Sequence, residues 1–170
     1  MWSAGMFDDG YRPLVHALKY ARRLTVGEHF GRRLGIAMRR RMIVKATAPI
    51  IVPVPLHAVR ERERGYNQSM AIARGLARTT GFPMAPELLA RVRKTKDQTK
   101  LTPAEREKNV RGAFQVRQAG GCAGHDIILV DDVMTTGATL AECARTVLAD
   151  GASRVDAAVM ALARAPGITL

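Results

Sequence analysis

Short, continuous apolar runs punctuate the chain and separate longer segments of mixed polarity. Residues 50–54, 127–130 and 155–162 form such runs, which are typical of strands covered on both faces in a mostly parallel sheet. A further run at residues 113–116 predicts a strand that returns to the same sheet. The pattern therefore predicts a sheet assembled from widely separated parts of the chain.

Helical periodicity fills the segments between these runs. Apolar residues three and four apart predict two helices over residues 11–43, with a break near Gly27, and another over residues 70–77 that ends by Gly81. The capping-box sequence at residues 102–105 predicts a short helix to about residue 109. Because strands alternate with helices, we predict an α/β fold with a doubly wound, mostly parallel sheet.

Chain length and hydrophobic content bound the domain organisation. At 170 residues, of which 47% are hydrophobic, the chain is long enough for one well-cored domain. We expect residues 1–48 to form an N-terminal helical segment that packs on a core of residues 49–170. The sequence has no apolar run of membrane-spanning length and no signal-peptide pattern, which predicts a cytoplasmic protein without membrane insertion.

The apolar run at residues 127–130 leads into the most informative segment of the chain. Asp131 and Asp132 follow it and are expected at the carboxyl end of the strand, where open α/β sheets bind ligands. Their carboxylates can accept hydrogen bonds from sugar hydroxyls or hold a divalent cation. The next residues are small or carry hydroxyls, so their N–H groups can approach a phosphate: Thr135, Thr136, Gly137, Ala138 and Thr139.

A helix is expected directly after this turn. Thr139 and Glu142 have capping-box spacing, which predicts a helix that begins there and directs its positive end at the turn. Strand, carboxylates and turn together indicate a site for a phosphorylated sugar, whereas the plainer alternative is a solvated turn before an ordinary helix. The GxxxxGK[ST] and GxGxxG motifs are absent from the sequence, so other phosphate-binding turns are unsupported.

Basic residues are concentrated in the first two thirds of the chain. The formal net charge is +12: residues 1–50 carry 10 basic and 3 acidic side chains, residues 57–111 carry 13 and 6, and residues 112–170 carry 4 and 6. This asymmetry favours a polyanionic ligand, either a pyrophosphate or a nucleic-acid backbone. The arginines at 39–41 end a predicted helix, where capping is the simpler interpretation and nucleic-acid contact the alternative.

The segment after the strand at residues 50–54 is rich in proline and arginine. Proline predicts an irregular, extended loop as far as residue 68. Arg60, Arg62 and Arg64 alternate with glutamates in this loop, so they either form a salt-bridged surface or offer guanidinium groups to phosphate oxygens. A second basic stretch spans residues 91–100.

The segment at residues 126–140 resembles the phosphoribosyl-pyrophosphate (PRPP) binding motif of type I phosphoribosyltransferases, in which the acidic pair contacts the ribose and the Thr-Gly turn holds the 5′-phosphate. The chain also resembles the ComF family, phosphoribosyltransferase-like proteins associated with bacterial competence for DNA uptake. Four segments carry that resemblance, in the family's order: YRPLVHALKY, PVPLHAVRERERGYNQS, RKTKDQTKLTPAEREKNVRGAF and LVDDVMTTGATL.

The resemblance covers nearly all of residues 11–165 and implies a type I phosphoribosyltransferase core. It puts the pyrophosphate loop at residues 55–60 and a flexible loop that closes over substrate at about residues 93–109. Many relatives begin with a Cys-rich zinc module, whereas this chain has only Cys122 and Cys143. We therefore expect free thiols, with Cys143 packed, and no zinc, in a chain that is a short form or has lost that module.

If the chain is an enzyme, the resemblance implies displacement of pyrophosphate from PRPP by a nucleophile. Asp131 and Asp132 would hold the ribose and, directly or through it, Mg²⁺, and Asp132 is a candidate proton acceptor. His57 is either a pyrophosphate ligand or structural. The other candidate residues lie in the pyrophosphate loop and in the segment that closes over the site: Pro55, Leu56, Arg60 and Arg64 in the former, Arg93, Lys94, Lys96 and Lys100 in the latter.

The acceptor nucleophile is not indicated by any segment. The main alternative is a non-catalytic protein of the same fold that binds single-stranded DNA or a competence protein, and a third is a regulator that binds PRPP as an effector. An aromatic content of 5% argues against extensive base stacking but not against backbone binding.

Overall fold

Five parallel strands form the central sheet of the computed structural model, which describes residues 1–7, 10–20, 23–41, 48–95 and 101–163. The strands at residues 2–3 and 6–7 both pair with the strand at residues 154–163. That strand also pairs with the strand at residues 126–134, which in turn pairs with the strand at residues 50–53. The sheet strands are β1 (Trp2–Ser3), β2 (Met6–Phe7), β3 (Ile50–Pro53), β6 (Asp126–Met134) and β7 (Arg154–Ala163). The predicted parallel sheet and its three apolar strands are confirmed.

Helices cover both faces of the sheet, which confirms the doubly wound arrangement. Ile128 and Val130 belong to a core with the first, second and fourth helices, whereas Ile127 and Leu129 belong to a core with the last two. Alternate residues of one strand therefore serve opposite cores, as its continuous apolar run predicted. The helices are α1 (Tyr11–Tyr20), α2 (Leu24–Arg41), α3 (Ala58–Arg64), α4 (Gln68–Thr80), α5 (Pro103–Val110) and α6 (Ala138–Ala149).

The predicted helix break near Gly27 is wrong, because Gly27 lies inside α2. Glycine is needed there for close approach to α4 rather than for a turn. A Cβ on Gly27 would lie 2.8 Å from the Cβ of Ala71, and one on Gly31 would lie 2.0 Å from the carbonyl oxygen of Ile72. α2 ends at Arg41, as expected for the arginine triplet; residues 42 and 43 of the predicted helix lie outside the described residues.

The run at residues 113–116 does not return to the central sheet, so that prediction is also wrong. β5 (Phe114–Val116) pairs antiparallel with β4 (Leu89–Arg91) in a separate two-stranded sheet. The edge of β3 that faces away from β6 is occupied by another segment. The Ile51 N–H donates to the carbonyl of Pro83 at 2.8 Å, and the Ile51 carbonyl accepts from the Ala85 N–H at 2.9 Å. No edge beside β3 is left for another strand among the described residues.

Both cysteines are free thiols and Cys143 is buried, as predicted; Cys122 is buried as well. Burial raises the pKa of Cys122 to about 12 and raises the pKa of Cys143 well above its usual value, so both stay protonated and unreactive at neutral pH. Within the described ranges, no helix combines the length and apolar character needed to cross a membrane.

Candidate functional site

The acidic pair lies where β3 stops and β6 continues. β3 ends at Pro53, opposite Val130, whereas β6 runs on to Met134 because β7 still pairs with it there. The expectation that the carboxylates follow the strand is therefore corrected: Asp131 and Asp132 lie inside β6. They nevertheless lie beyond the carboxyl end of the neighbouring strand β3, at the edge where open α/β sheets bind ligands.

Hydrogen bonds fix the orientation of both carboxylates. Asp131 Oδ1 accepts from the buried hydroxyl of Ser69 at 2.9 Å and from the Asp132 N–H at 2.8 Å. Asp132 is 4% exposed, and its Oδ1 accepts from the Val133 N–H at 2.8 Å. Hydrogen-bonded carboxylates at a sheet edge are suited to accept bonds from sugar hydroxyls.

Ser69 was not among the predicted site residues. It lies in the first turn of α4 and is 1% exposed. Neighbouring residues anchor the same turn: the Asn67 side chain donates to the Val54 carbonyl at 3.0 Å, and the Tyr66 hydroxyl donates to the Leu18 carbonyl. The available sequence signal was its place at the end of PVPLHAVRERERGYNQS, one of the four segments that carry the family resemblance.

The Thr-Gly turn forms a pocket directly after β6. Asp131 lines this pocket together with residues of the strand end, the turn and the first turn of α6. Thr136 is exposed, and its hydroxyl accepts from the Ala138 N–H at 3.4 Å. The structure thus brings together most of the predicted phosphate-binding residues, and the lining comprises Asp131, Val133, Met134, Thr135, Gly137, Ala138, Thr139 and Leu140.

Gly137 precedes α6 as its N-cap, with φ +80° in the left-handed region. The predicted capping box of Thr139 and Glu142 is wrong, because α6 begins at Ala138 and its N-cap makes no side-chain hydrogen bond. A glycine in this conformation turns the chain directly into the helix. The N-terminus of α6, with its positive dipole end, therefore lies at the pocket, where it favours an anion.

Glu142 instead joins α6 to the segment after α5. Its carboxylate accepts from the Gly112 N–H at 2.6 Å and from Arg145 at 2.6 and 2.9 Å. The hydrogen bond from Arg145, aided by that from Gly112, lowers the pKa of Glu142 although burial opposes the shift. This hydrogen bond therefore links the segment after α5 to α6, the helix that begins at the Thr-Gly turn.

The segment predicted as an irregular pyrophosphate loop contains a helix, α3. His57 is its N-cap, and the His57 Nδ1 accepts from the Val59 N–H at 3.3 Å. This contact gives His57 a structural role, one of the two alternatives for it. Pro55 and Leu56 connect β3 to α3 and are partly exposed.

The two arginines assigned to the pyrophosphate loop lie in α3. Arg60 is exposed, whereas Arg64 donates to the Gln68 side chain at 2.8 Å. An isolated parallel β-bridge between the backbones of His57 and Arg91 brings β4 beside the start of α3. Arg91 stacks on Phe114 at 5.3 Å, and burial lowers its pKa although Asp131 and Cys143 oppose the shift. Arg91 and Asp131 are therefore near enough to interact electrostatically.

The predicted closing segment is only partly within the described residues. Arg93 donates to the carbonyl oxygens of Asn109 at 3.0 Å and Arg111 at 2.6 Å, so its guanidinium clamps the end of α5. Lys94 is exposed. The remaining candidates, Lys96 and Lys100, lie outside the described residues.

The helix predicted after residue 102 is confirmed as α5. Thr102 and Glu105 form its capping box, with Pro103 in the first turn. Arg106 donates from its Nε to the Leu101 carbonyl at 3.0 Å and from a terminal nitrogen to the Thr135 hydroxyl at 3.0 Å. α5 thus brings a basic side chain to the Thr-Gly turn.

The acidic pair fits a magnesium ion that is shared with a ligand. The described residues contain no group of three or more His, Cys, Asp or Glu side chains that could hold a metal ion. Mg²⁺ is commonly held by one or two carboxylates together with substrate phosphates and water. Asp131 and Asp132 supply oxygen donors of that kind, so the metal would arrive with a phosphorylated ligand.

The chain is similar to bacterial proteins named for DNA utilisation and competence. It is 36% identical over 144 residues to DNA utilization protein YhgH of Salmonella typhi, covering 84% of this chain and 63% of that protein's length. It is 30% identical over 155 residues to competence protein F of Haemophilus influenzae, covering 89% and 67% respectively. The chain therefore spans less than two thirds of the length of the YhgH relative.

The fold is also similar to a solved structure. Glutamine phosphoribosylpyrophosphate amidotransferase from Bacillus subtilis, complexed with ADP and GMP, superposes with a TM-score of 0.53 at 23% identity, covering 85% of this chain and 30% of that one. The phosphoribosyl transferase domain family matches residues 34–167. Fold, motif and relatives agree: the chain belongs to the phosphoribosyl transferase domain family, as a type I phosphoribosyltransferase-like protein of the ComF group.

Proposed function

We propose that this protein binds PRPP with Mg²⁺ and transfers its phosphoribosyl group to an acceptor, with release of pyrophosphate. The observation that carries the proposal is the acidic pair of β6 beside a pocket that is lined by the Thr-Gly turn and the start of α6. The carboxylates of Asp131 and Asp132 would accept hydrogen bonds from the ribose hydroxyls. The N–H groups at the start of α6 would bind the 5′-phosphate.

The leaving pyrophosphate requires positive charge near the pocket. Arg60 on α3 and Arg91 on β4 are candidates for that charge, and the segment with Arg93 and Lys94 follows β4. When bound, Mg²⁺ would supply electrostatic stabilisation of the departing pyrophosphate. Asp132 would accept the proton of the nucleophile, since it is a carboxylate adjacent to the ribose position.

The decisive experiment is calorimetric titration of PRPP with Mg²⁺, with pyrophosphate release measured in parallel. We expect binding to the original protein and its loss in the double variant Asp131→Asn/Asp132→Asn. The matched control is Asp126→Asn/Asp156→Asn, which makes the same charge change at the opposite ends of β6 and β7 and should bind as the original does. Absence of PRPP binding to the original protein would refute the proposal.

A second candidate is binding of single-stranded DNA, in a chain whose relatives are named for DNA utilisation and competence. The observation that favours it is a set of exposed arginines on α2: Arg32, Arg33, Arg39 and Arg40. Backbone binding by these cations would weaken steeply with added salt and tolerate many sequences. Replacing the four arginines with glutamine should abolish that binding without changing PRPP affinity, if the two activities use separate surfaces.

A further inference from the structure

The Thr-Gly turn and α5 are distant in sequence but are linked by a hydrogen bond in the fold. Arg106 and Thr135 are 29 positions apart, and the Arg106 guanidinium lies 3.0 Å from the Thr135 hydroxyl. Thr135 lines the pocket formed by the turn and the start of α6. A basic side chain therefore lies at the rim of the pocket in which the proposed function puts a phosphate.

Several contacts hold this arginine in position. The capping box of Thr102 and Glu105 fixes the start of α5, Arg93 clamps its end, and Val110 is buried in the core shared with α6. The Arg106 Nε is bonded to the Leu101 carbonyl. The guanidinium is consequently preorganised, so little side-chain entropy would be lost when it binds an anion.

The negative charge of a phosphate bound in the pocket would have to be balanced by a nearby cation. A phosphate monoester near neutral pH carries a charge of about −2, and it would lie beside Asp131, which lines the same pocket. The helix N-terminus contributes only about half a positive charge. A guanidinium has more N–H donors than the two bonds of Arg106 use, so it can bind a phosphate oxygen while keeping its bond to Leu101.

We propose that Arg106 is a direct ligand of the phosphate monoester of the bound sugar, and so distinguishes 5-phosphorylated ribose from unphosphorylated ribose. The inference rests on the proposed function for the identity of the sugar. Its physical basis is the hydrogen bond between the guanidinium and the Thr135 hydroxyl at the pocket rim. Without ligand, the Arg106 nitrogen that would bind a phosphate oxygen donates to the Thr135 hydroxyl.

The test uses ribose 5-phosphate, which carries only the monoester, and pyrophosphate with Mg²⁺, which lacks it. We expect Arg106→Gln to bind ribose 5-phosphate about 10- to 100-fold more weakly and pyrophosphate unchanged. The matched control is Lys108→Gln, an exposed residue of the same helix whose position two residues along directs it elsewhere. The control should retain both affinities.

A pH profile separates a ligand role from a structural one. The second pKa of a phosphate monoester is about 6, so the affinity of the original protein for ribose 5-phosphate should rise as the dianion forms. Arg106→Gln should show a flatter rise, because the charge that prefers the dianion is gone. A loss of thermal stability with an unchanged pH profile would show that Arg106 only links α5 to the turn.

The outcomes also separate this inference from the proposed function. Unchanged affinity of Arg106→Gln for ribose 5-phosphate, or an equal loss in Lys108→Gln, overturns the inference while PRPP binding stands. Binding of ribose 5-phosphate without PRPP removes the proposed function, and the variants still decide the role of Arg106. No binding of either sugar by the original protein overturns both.

Discussion

The α2–α4 interface and the turn before α6 both depend on glycine, but the space around the glycines differs. At Gly31 and Gly75 the helices touch: an added Cβ would lie 2.0 Å from the Ile72 carbonyl oxygen or 2.1 Å from that of Glu28. At Gly137 the nearest atom is the Met134 sulfur, at 3.7 Å, and only the positive φ excludes other residues. Glycine removes bulk in the first region, whereas in the second it permits the backbone conformation that turns the chain into α6.

This contrast separates stability from binding. The packed interface has no room for a ligand, so changes there should affect folding before they affect any site. The turn is open, so changes there should affect binding at a smaller cost in stability. Four substitutions test the distinction, in order of decreasing expected effect.

Gly31→Ala should produce the largest effect, a loss of about 3 kcal/mol in the free energy of unfolding. Helix propensity alone would favour alanine by about 1 kcal/mol, but the contact with the Ile72 carbonyl forces α2 and α4 apart. Urea denaturation followed by circular dichroism measures the change. Ala37→Ser, on the exposed side of the same helix, should lie within about 0.5 kcal/mol of the original, and an equally mild Gly31→Ala would contradict the packing argument.

Gly137→Ala should cost about 1–2 kcal/mol of stability, because a side chain disfavours positive φ. Relaxation of the turn should also weaken ribose 5-phosphate binding about tenfold. Gly124→Ala is the matched control: its φ is +73° and the surrounding space is open. Denaturation and calorimetry should show a similar stability loss in both variants but a binding loss only in Gly137→Ala. Equal binding by both would break the comparison.

Ser69→Ala tests a hydrogen bond between α4 and the acidic pair, since Ser69 lies on α4 and bonds to Asp131. Loss of a hydrogen bond to a charged group should weaken Mg²⁺–PRPP binding by about 1.5 kcal/mol, roughly tenfold. Calorimetry measures this change. Ser153→Ala, an exposed serine in the turn before β7, should leave affinity unaltered, and a Ser69→Ala protein with full affinity would show that Asp131 needs no support from α4.

Glu142→Gln should have the smallest effect, about 1 kcal/mol at pH 7, because its partner Arg145 is largely exposed. The pKa of Glu142 is lowered in the folded protein, chiefly by Arg145. Its stabilisation is therefore present above the unfolded-state pKa of about 4.3 and is lost as the pH falls through the folded-state pKa. The stability difference between the two proteins should narrow on acidification; a difference independent of pH would exclude an ionised Glu142 as its source.

Local pattern predicted much of the fold. Apolar runs identified β3, β6 and β7, and capping residues identified α5, because strand burial and helix ends depend on neighbouring residues. The motif identified the Thr-Gly turn for the same reason. Two-residue strands such as β1 have no periodicity to detect, and α3 was hidden by the prolines that precede it.

The sequence by itself determined the fold class, the family resemblance and the position of the Thr-Gly turn, since each depends on short-range patterns. Only the tertiary structure decided which side chains meet across elements. It joined Ser69 to Asp131, brought Arg106 to Thr135 and directed Arg93 to the end of α5. Such contacts follow from how helices pack on the sheet, and no local pattern of residues encodes that geometry.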